Sequence, residues 1–262
     1  MSKFKAVVFD WAGTMIDFGS FAPVDAVITA FGRFGIEVSA ADARKPMGAR
    51  KWDHIREMLD EPHIAAQWHA GGRTDAADAD VDSIHAEFVP LMETMAADHA
   101  TLVPGALETV NWLRARGIRI GSTTGYPRSI MERILPVAAA QGYAPDNLVC
   151  SGDLAEGRPG PLMMYRCFID LVAHPPQSVI KVDDTAPGIA EGIAAGCVTV
   201  GLSLSGNEAA LSASELAALP AAERDALRAK ATAVLRDAGA DHVIDTVADL
   251  PALIERIEAG RA

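Results

Sequence analysis

Three sets of polar residues in this chain follow short apolar runs and carry side chains suited to group-transfer chemistry. Asp10 closes Ala6-Val7-Val8-Phe9, Ser122-Thr123-Thr124-Gly125-Tyr126 follows the run at 118–121, and Asp183-Asp184-Thr185 follows the run at 178–182. One acid after a strand is ordinarily a turn former or helix cap. Two carboxylates at adjacent strand ends, however, repel each other unless a cation lies between them, and oxygen ligands with waters suit Mg²⁺. Such a dication would neutralise a phosphate or phosphonate and hold its phosphorus in line with an attacking oxygen. The Thr124 hydroxyl and nearby backbone N–H groups, close to a helix that Pro127 begins, form an anion cradle. Arg158, in Gly157-Arg158-Pro159-Gly160-Pro161, is either a surface residue, as loop arginines usually are, or a fixed positive charge for the same anion.

A different chemistry is written at 49–59, where the pattern is helical. Lys51, Ile55 and Met58 fall at i, i+4 and i+7, and His54 lies at i+3 from the lysine, so all four share one face. A lysine on an apolar stripe either snorkels its amine to water or is buried when the stripe closes over other structure. In the second case burial and a neighbouring cation lower the amine pKa, giving a neutral nucleophile able to form a Schiff base. His54 is then either a structural hydrogen-bonder or a proton shuttle titrating near neutrality.

The elements that must position these residues alternate. Continuous apolar runs at 6–9, 118–121, 147–150, 178–182, 198–201 and 242–244 read as strands buried on both faces, separated by helical patterns, which predicts a Rossmann-like parallel α/β core. The clearest helix opens at Pro104, carries Leu107, Val110 and Leu113 on one face and stops at Gly117. In such a sheet ligands bind beyond the carboxyl ends of the strands, where the polar residues collect. Between the first strand and Pro104 only helices are expected. Pro23 opens one with Val24, Val27, Ile28 and Phe31, Ser39-Ala40-Ala41-Asp42 is a capping box, and 49–59 is a third. We therefore expect an inserted helical cap at 20–100 and an α/β core made of 1–19 and 101–262. Residues 74–113 contain no lysine or arginine, a solvated acidic face.

Composition sets the bounds. The 262 residues are 50% hydrophobic, which supports a sizeable core and excludes a disordered chain, and 23 basic against 35 acidic residues give a net charge of -12. That field repels nucleic acid and anionic membranes, so neither is an expected partner, while a small anion can still enter a locally basic pocket. Cys150, Cys167 and Cys197 are odd in number and widely spaced, giving no disulfide framework or zinc spacing. With no signal-peptide pattern and no long apolar span, a cytoplasmic location is expected.

The order of these segments resembles the signature of the haloacid dehalogenase superfamily: a nucleophilic aspartate after the first strand, a Ser/Thr after a later one, a basic residue, then an acidic metal motif. Its phosphatases and mutases carry a second aspartate, the acid that protonates an alkoxide leaving group, where this chain has Ala12. Phe9-Asp10-Trp11-Ala12-Gly13-Thr14, Met47-Gly48-Ala49-Arg50-Lys51-Trp52-Asp53-His54-Ile55 and Gly121-Ser122-Thr123-Thr124-Gly125-Tyr126 look like those of the phosphonoacetaldehyde hydrolase (phosphonatase) family. That family has Asp-x-Ala and a cap lysine that forms an imine with the aldehyde, and the missing acid and added lysine explain one another. The resemblance implies a small phosphonate substrate, Asp10 as nucleophile, Lys51 as Schiff base and His54 as proton shuttle. It also implies substrate contacts from Met47, Thr124, Tyr126 and Arg158. Mg²⁺ is implied on the Asp10 carboxylate, the Ala12 carbonyl and Asp184, with Asp183 either a further ligand or a supporting partner. Family similarity also suggests a homodimer through the cap, using the apolar 18–34 region, for which a core role fits equally well. Rival readings are a phosphatase or phosphomutase on the same scaffold, which Ala12 opposes, a metal-free dehalogenase, which Asp183-Asp184 opposes, and a non-catalytic binding protein.

Overall fold

The four residues of β1 (Ala6–Phe9) are all buried, as a strand covered on both faces must be. The computed structural model describes residues 2–261; the outermost positions of the expected core, 1 and 262, lie outside the described residues. Five helices follow β1: α1 (Ala22–Arg33), α2 (Ala40–Arg44), α3 (Lys51–Asp60), α4 (Pro62–Ala70) and α5 (Asp78–Met95). Next come α6 (Ala106–Ala115), β2 (Arg119–Pro127), α7 (Arg128–Ala140), β3 (Val149–Ser151) and α8 (Leu162–Asp170). The chain ends with β4 (Val179–Asp183), α9 (Ala186–Ala194), β5 (Val198–Leu202), α10 (Ala213–Ala218), α11 (Ala221–Asp237), β6 (His242–Ile244) and α12 (Leu250–Glu258).

The six strands form one parallel sheet in the order β3-β2-β1-β4-β5-β6, the Rossmann-like core expected. The order reverses at β1, which pairs with β2 on one side and β4 on the other, and this switch opens a crevice at the strands' carboxyl ends. Asp10 sits at that point: its N–H donates to the Val182 carbonyl, 3.0 Å away, continuing the ladder by one residue. One boundary differs from expectation. β2 does not stop at residue 121 but runs to Pro127, so Ser122 to Tyr126 belong to the strand, which continues past an irregular register with β3.

The segment that leaves β1 and the one that returns to α6 lie side by side, with Ile16 and Leu102 bridged antiparallel and the Asp17 N–H on the Thr101 carbonyl. Between them α1 packs along α5, and α3 packs on both α4 and α5. Val24, Val27 and Phe31 of α1 are buried within the chain, whereas Phe18, Ile28 and Phe34 are only partly covered. The Ser39 capping box of α2 forms as expected, the Ser39 hydroxyl accepting from the Asp42 N–H and the Asp42 carboxylate accepting from the Ser39 N–H. No helix among the described residues is long and apolar enough to cross a membrane.

Candidate active site

Asp10, Asp183 and Asp184 converge because β1 and β4 are neighbours in register and each ends at the crevice. One carboxylate oxygen from each lies within 4.8 Å of the others, and all three residues are buried. Burial and the Asp183 charge together raise the Asp10 carboxyl to about 6 against the opposing pull of Arg158 and Lys181. Asp184 is pushed well above the usual carboxylate range by burial and by Asp10 and Asp183. At Asp183 burial acts in the same direction, but Arg158 and Lys181 outweigh it and hold the carboxyl below its ordinary value.

These environments test whether a cation fits. The fixed positive charges lie on the Asp10 and Asp183 side, whereas Asp184 has no Lys, Arg or His within ion-pair distance among the described residues. Its Oδ1 accepts from the Thr14 hydroxyl (3.1 Å) and its Oδ2 from the Asn207 N–H (2.8 Å), both neutral donors. Three clustered buried carboxylates with an excess of negative charge at one corner suit a hard divalent cation. Gly13 has φ of +80°, and a Cβ there would stand 2.3 Å from Asp184 Oδ2, so this turn requires glycine both for its backbone and for its closeness to the carboxylate.

Arg158 is no surface residue. It is 6% exposed, and its guanidinium spans the floor of the site. Nη2 lies 2.8 Å from Asp10 Oδ1 and 3.3 Å from Asp183 Oδ2 and donates to the Thr123 carbonyl at 3.0 Å, while Nε donates to Glu191 Oε2 at 3.0 Å. Thr124, within β2, accepts the Tyr126 N–H on its hydroxyl (3.1 Å) and faces the same cavity.

Lys51 opens α3 and is 3% exposed. Its Nζ lies 3.4 Å from Met47 Sδ, 3.4 Å from His54 Nδ1 and 5.8 Å from the centre of the Tyr126 ring. The stripe therefore closes over the strand ends, and the amine does not snorkel. Burial, with the Arg158 charge acting the same way, lowers the Lys51 amine to about 8 against the opposing pull of Asp10 and Asp184. His54 departs from the near-neutral titration expected of it. Burial and the adjacent Lys51 hold its pKa well below the ordinary value, so the imidazole is neutral and its Nδ1 can accept from the lysine. The approach of β2 to the segment before α3 depends on small residues: a Cβ on Gly125 would come within 2.9 Å of the Ala49 carbonyl oxygen.

Asp10, Ala12, Met47, Lys51, Thr124, Tyr126 and Arg158 thus line one cavity, with Ser20 and Thr185 also on its wall. His54 adjoins it through Lys51, and Asp184 is not on its wall but belongs to the carboxylate cluster with Asp10. Sequence reasoning missed the support beneath. Lys181, fully buried in β4, reaches Thr123 Oγ1 (2.7 Å), Asp183 Oδ2 (3.1 Å) and Glu191 Oε2 (3.1 Å), and Glu191 of α9 bridges Lys181 to Arg158. The available signal was a lysine between Ile180 and Val182 in an otherwise apolar strand.

A family model described as haloacid dehalogenase-like hydrolase matches residues 4–196. The phosphonoacetaldehyde hydrolase of Paraburkholderia xenovorans is 45% identical over 259 residues, covering 99% of this chain and 97% of the relative. The chain belongs to the phosphonoacetaldehyde hydrolase family. A second member, from Vibrio cholerae, is 46% identical over 98% of this chain and 96% of its own length. The crystal structure of a phosphonoacetaldehyde hydrolase-like protein from Oleispira antarctica superposes with a TM-score of 0.96 at 41% identity, covering 99% of this chain and 94% of that one. A β-phosphoglucomutase from Clostridium difficile, at 15% identity and a TM-score of 0.65, shares the fold alone. Membership in the phosphonoacetaldehyde hydrolase family makes this chain a hydrolase.

Proposed function

We propose that this enzyme hydrolyses the C–P bond of phosphonoacetaldehyde to acetaldehyde and phosphate, with residues 20–100 acting as a cap over a core of 1–19 and 101–262. The observation that carries the reading is Lys51: a buried amine, lowered to about 8, on the wall of the cavity that holds Asp10 and has alanine at position 12. An amine so placed condenses with an aldehyde, whereas ester hydrolysis would need a proton donor that Ala12 lacks.

Lys51 adds to the aldehyde carbon; neutral His54, 3.4 Å from Nζ, takes the proton shed by the attacking amine and passes it to the carbinolamine oxygen, which with a second proton from solvent leaves as water and gives an imine protonated on nitrogen. Met47 and Tyr126 wall the amine off from solvent. Asp10 then attacks phosphorus in line. The electrons of the breaking C–P bond move into the iminium and form a neutral enamine, so no alkoxide appears and no acid at position 12 is required. Water hydrolyses the aspartyl phosphate, while the enamine is protonated on carbon and its imine hydrolysed to acetaldehyde and free Lys51. One water is released and two are consumed, so the net reaction uses one. Arg158, paired to Asp10, orients the carboxylate and contacts the phosphonate oxygens with Thr124. Mg²⁺ would be held by the Asp10 carboxylate, the Ala12 carbonyl and Asp184, supplying charge neutralisation between the attacking carboxylate and the phosphonate. Asp183, already paired with Lys181 and Arg158 and accepting from Thr185, suits a supporting place.

Met47, Gly48, Ala49 and Lys51 of the cap and Asp10, Thr124 and Arg158 of the core line one cavity, and we expect substrate to enter as the cap moves away from the core. A homodimer would use the part of α1 and its approach left half-covered, Phe18, Ile28 and Phe34. The reading is tested by Mg²⁺-dependent release of acetaldehyde from phosphonoacetaldehyde, coupled to alcohol dehydrogenase. We expect turnover that disappears with a chelator; simple phosphate esters turned over much faster would instead indicate a phosphatase.

A further inference from the structure

Two residues outside the reacting set tie the seating of the helical segment to the acidic corner. Arg44, at the end of α2, places Nη1 within 2.9 Å of the Gly19 carbonyl, 3.3 Å of Asn207 Oδ1 and 3.4 Å of the Asn207 carbonyl. Asn207 Nδ2 returns a bond to the Arg44 carbonyl at 3.1 Å, so side chain and backbone of each residue engage the other. Asn207 is 5% exposed, and its own N–H donates to Asp184 Oδ2 at 2.8 Å. The loop carrying it presses on that carboxylate: a Cβ on Gly206 would stand 2.1 Å from Asp184 Cβ. Beyond Arg44 the same segment runs through Met47 and Gly48 into Lys51.

We infer that Arg44 and Asn207 are positioning residues, a latch through which docking of the Lys51-bearing segment fixes the 206–207 peptide and so aims the Asp184 carboxylate. When the segment lifts, Arg44 leaves Asn207, the loop loses its outer partner, and the N–H that orients Asp184 is no longer held. Delivery of the amine and organisation of the cation corner are then one event. This inference rests on the reading of 20–100 as a movable cap and of Asp184 as a cation ligand.

The test is a double-mutant cycle of Arg44→Ala and Asn207→Ala in the full chain, read by calorimetric titration with Mg²⁺ alone and, separately, by KM and kcat for phosphonoacetaldehyde. Each single variant is expected to weaken Mg²⁺ binding by about 2- to 10-fold, the scale of a lost hydrogen bond, and to raise KM. The double variant should be no worse than the worse single one, and Arg44→Lys should recover part of the loss. Unchanged Mg²⁺ affinity in the single variants, or losses that multiply in the double variant, overturns the latch. Should Asn207→Ala not fold, Arg44→Ala at the partly buried outer side of the contact and its lysine rescue decide alone, by the same criterion of changed or unchanged Mg²⁺ affinity. Failure of the wild-type chain to release acetaldehyde would overturn the proposed reaction but leave the Mg²⁺ cycle to decide the latch.

Discussion

Replacing Gly48 with alanine places a methyl group where the two halves of the molecule meet. The residue has φ of +91°, and an added Cβ would stand 2.2 Å from Thr185 Oγ1 and 2.7 Å from its Cβ. Two costs follow. The left-handed backbone costs an alanine about 1–2 kcal/mol, and overpacking costs about 1–3 kcal/mol. Gly35 separates them: its φ is +75°, yet nothing lies within 4 Å of an added Cβ, so Gly35→Ala carries the backbone cost without the clash. The clash at Gly48 can be relieved by lifting the segment off Thr185 without unfolding the chain. Gly48→Ala should therefore lose stability comparable to Gly35→Ala, while the remaining 1–3 kcal/mol is drawn from the closed state and lowers kcat/KM by about 5- to 150-fold. Urea melts and acetaldehyde-coupled kinetics on both variants measure the two terms. If Gly48→Ala keeps wild-type kcat/KM within about twofold, the contact with Thr185 does not set the working distance of Lys51 and the argument fails.

The acid limb of the pH profile should belong to Lys51. The nucleophile we propose is its neutral form, and its pKa is lowered to about 8, so kcat/KM should rise about tenfold per pH unit up to about 8 and then level, and a limb that keeps climbing toward 10.5 would show an amine in water. Glu191→Ala leaves Lys181 and Arg158 buried with one counter-charge fewer and should cost about 3–5 kcal/mol of stability by denaturant unfolding, whereas Glu191→Gln, which keeps the shape and an acceptor, should cost less.

The strands were legible because burial on both faces leaves a plain mark, and β6 coincides with the run read at 242–244. Where polar residues continue a strand that mark fails: Ser122, Thr123 and Thr124 lie past the apolar run, yet they extend β2, all three buried, with the Thr123 hydroxyl on Glu191 and Lys181 and the Thr124 hydroxyl on the Tyr126 N–H. Lys51 was legible as an anomaly on an apolar stripe. Its alternatives were separated only by the tertiary closure that buries it, and the same closure lowers the His54 pKa well below its ordinary value, so that the resting imidazole is neutral. Arg158 and Glu191 lie 33 residues apart in sequence, and only the packing of α9 against β4 brings Glu191 to both Arg158 and Lys181. Partnerships of that kind leave no local pattern. Arg44 and Asn207 are more distant still, 163 residues apart.

The central claim is covalent: the amine of Lys51, and no other, carries the substrate through C–P cleavage. Borohydride added to the enzyme during turnover of phosphonoacetaldehyde, followed by peptide mapping in a mass spectrometer, tests it directly. The account predicts loss of activity together with a reduced two-carbon adduct on the peptide containing Lys51, and no adduct or turnover in Lys51→Ala. Phosphate release at full rate with no trappable lysine adduct, or undiminished turnover by Lys51→Ala, would contradict it.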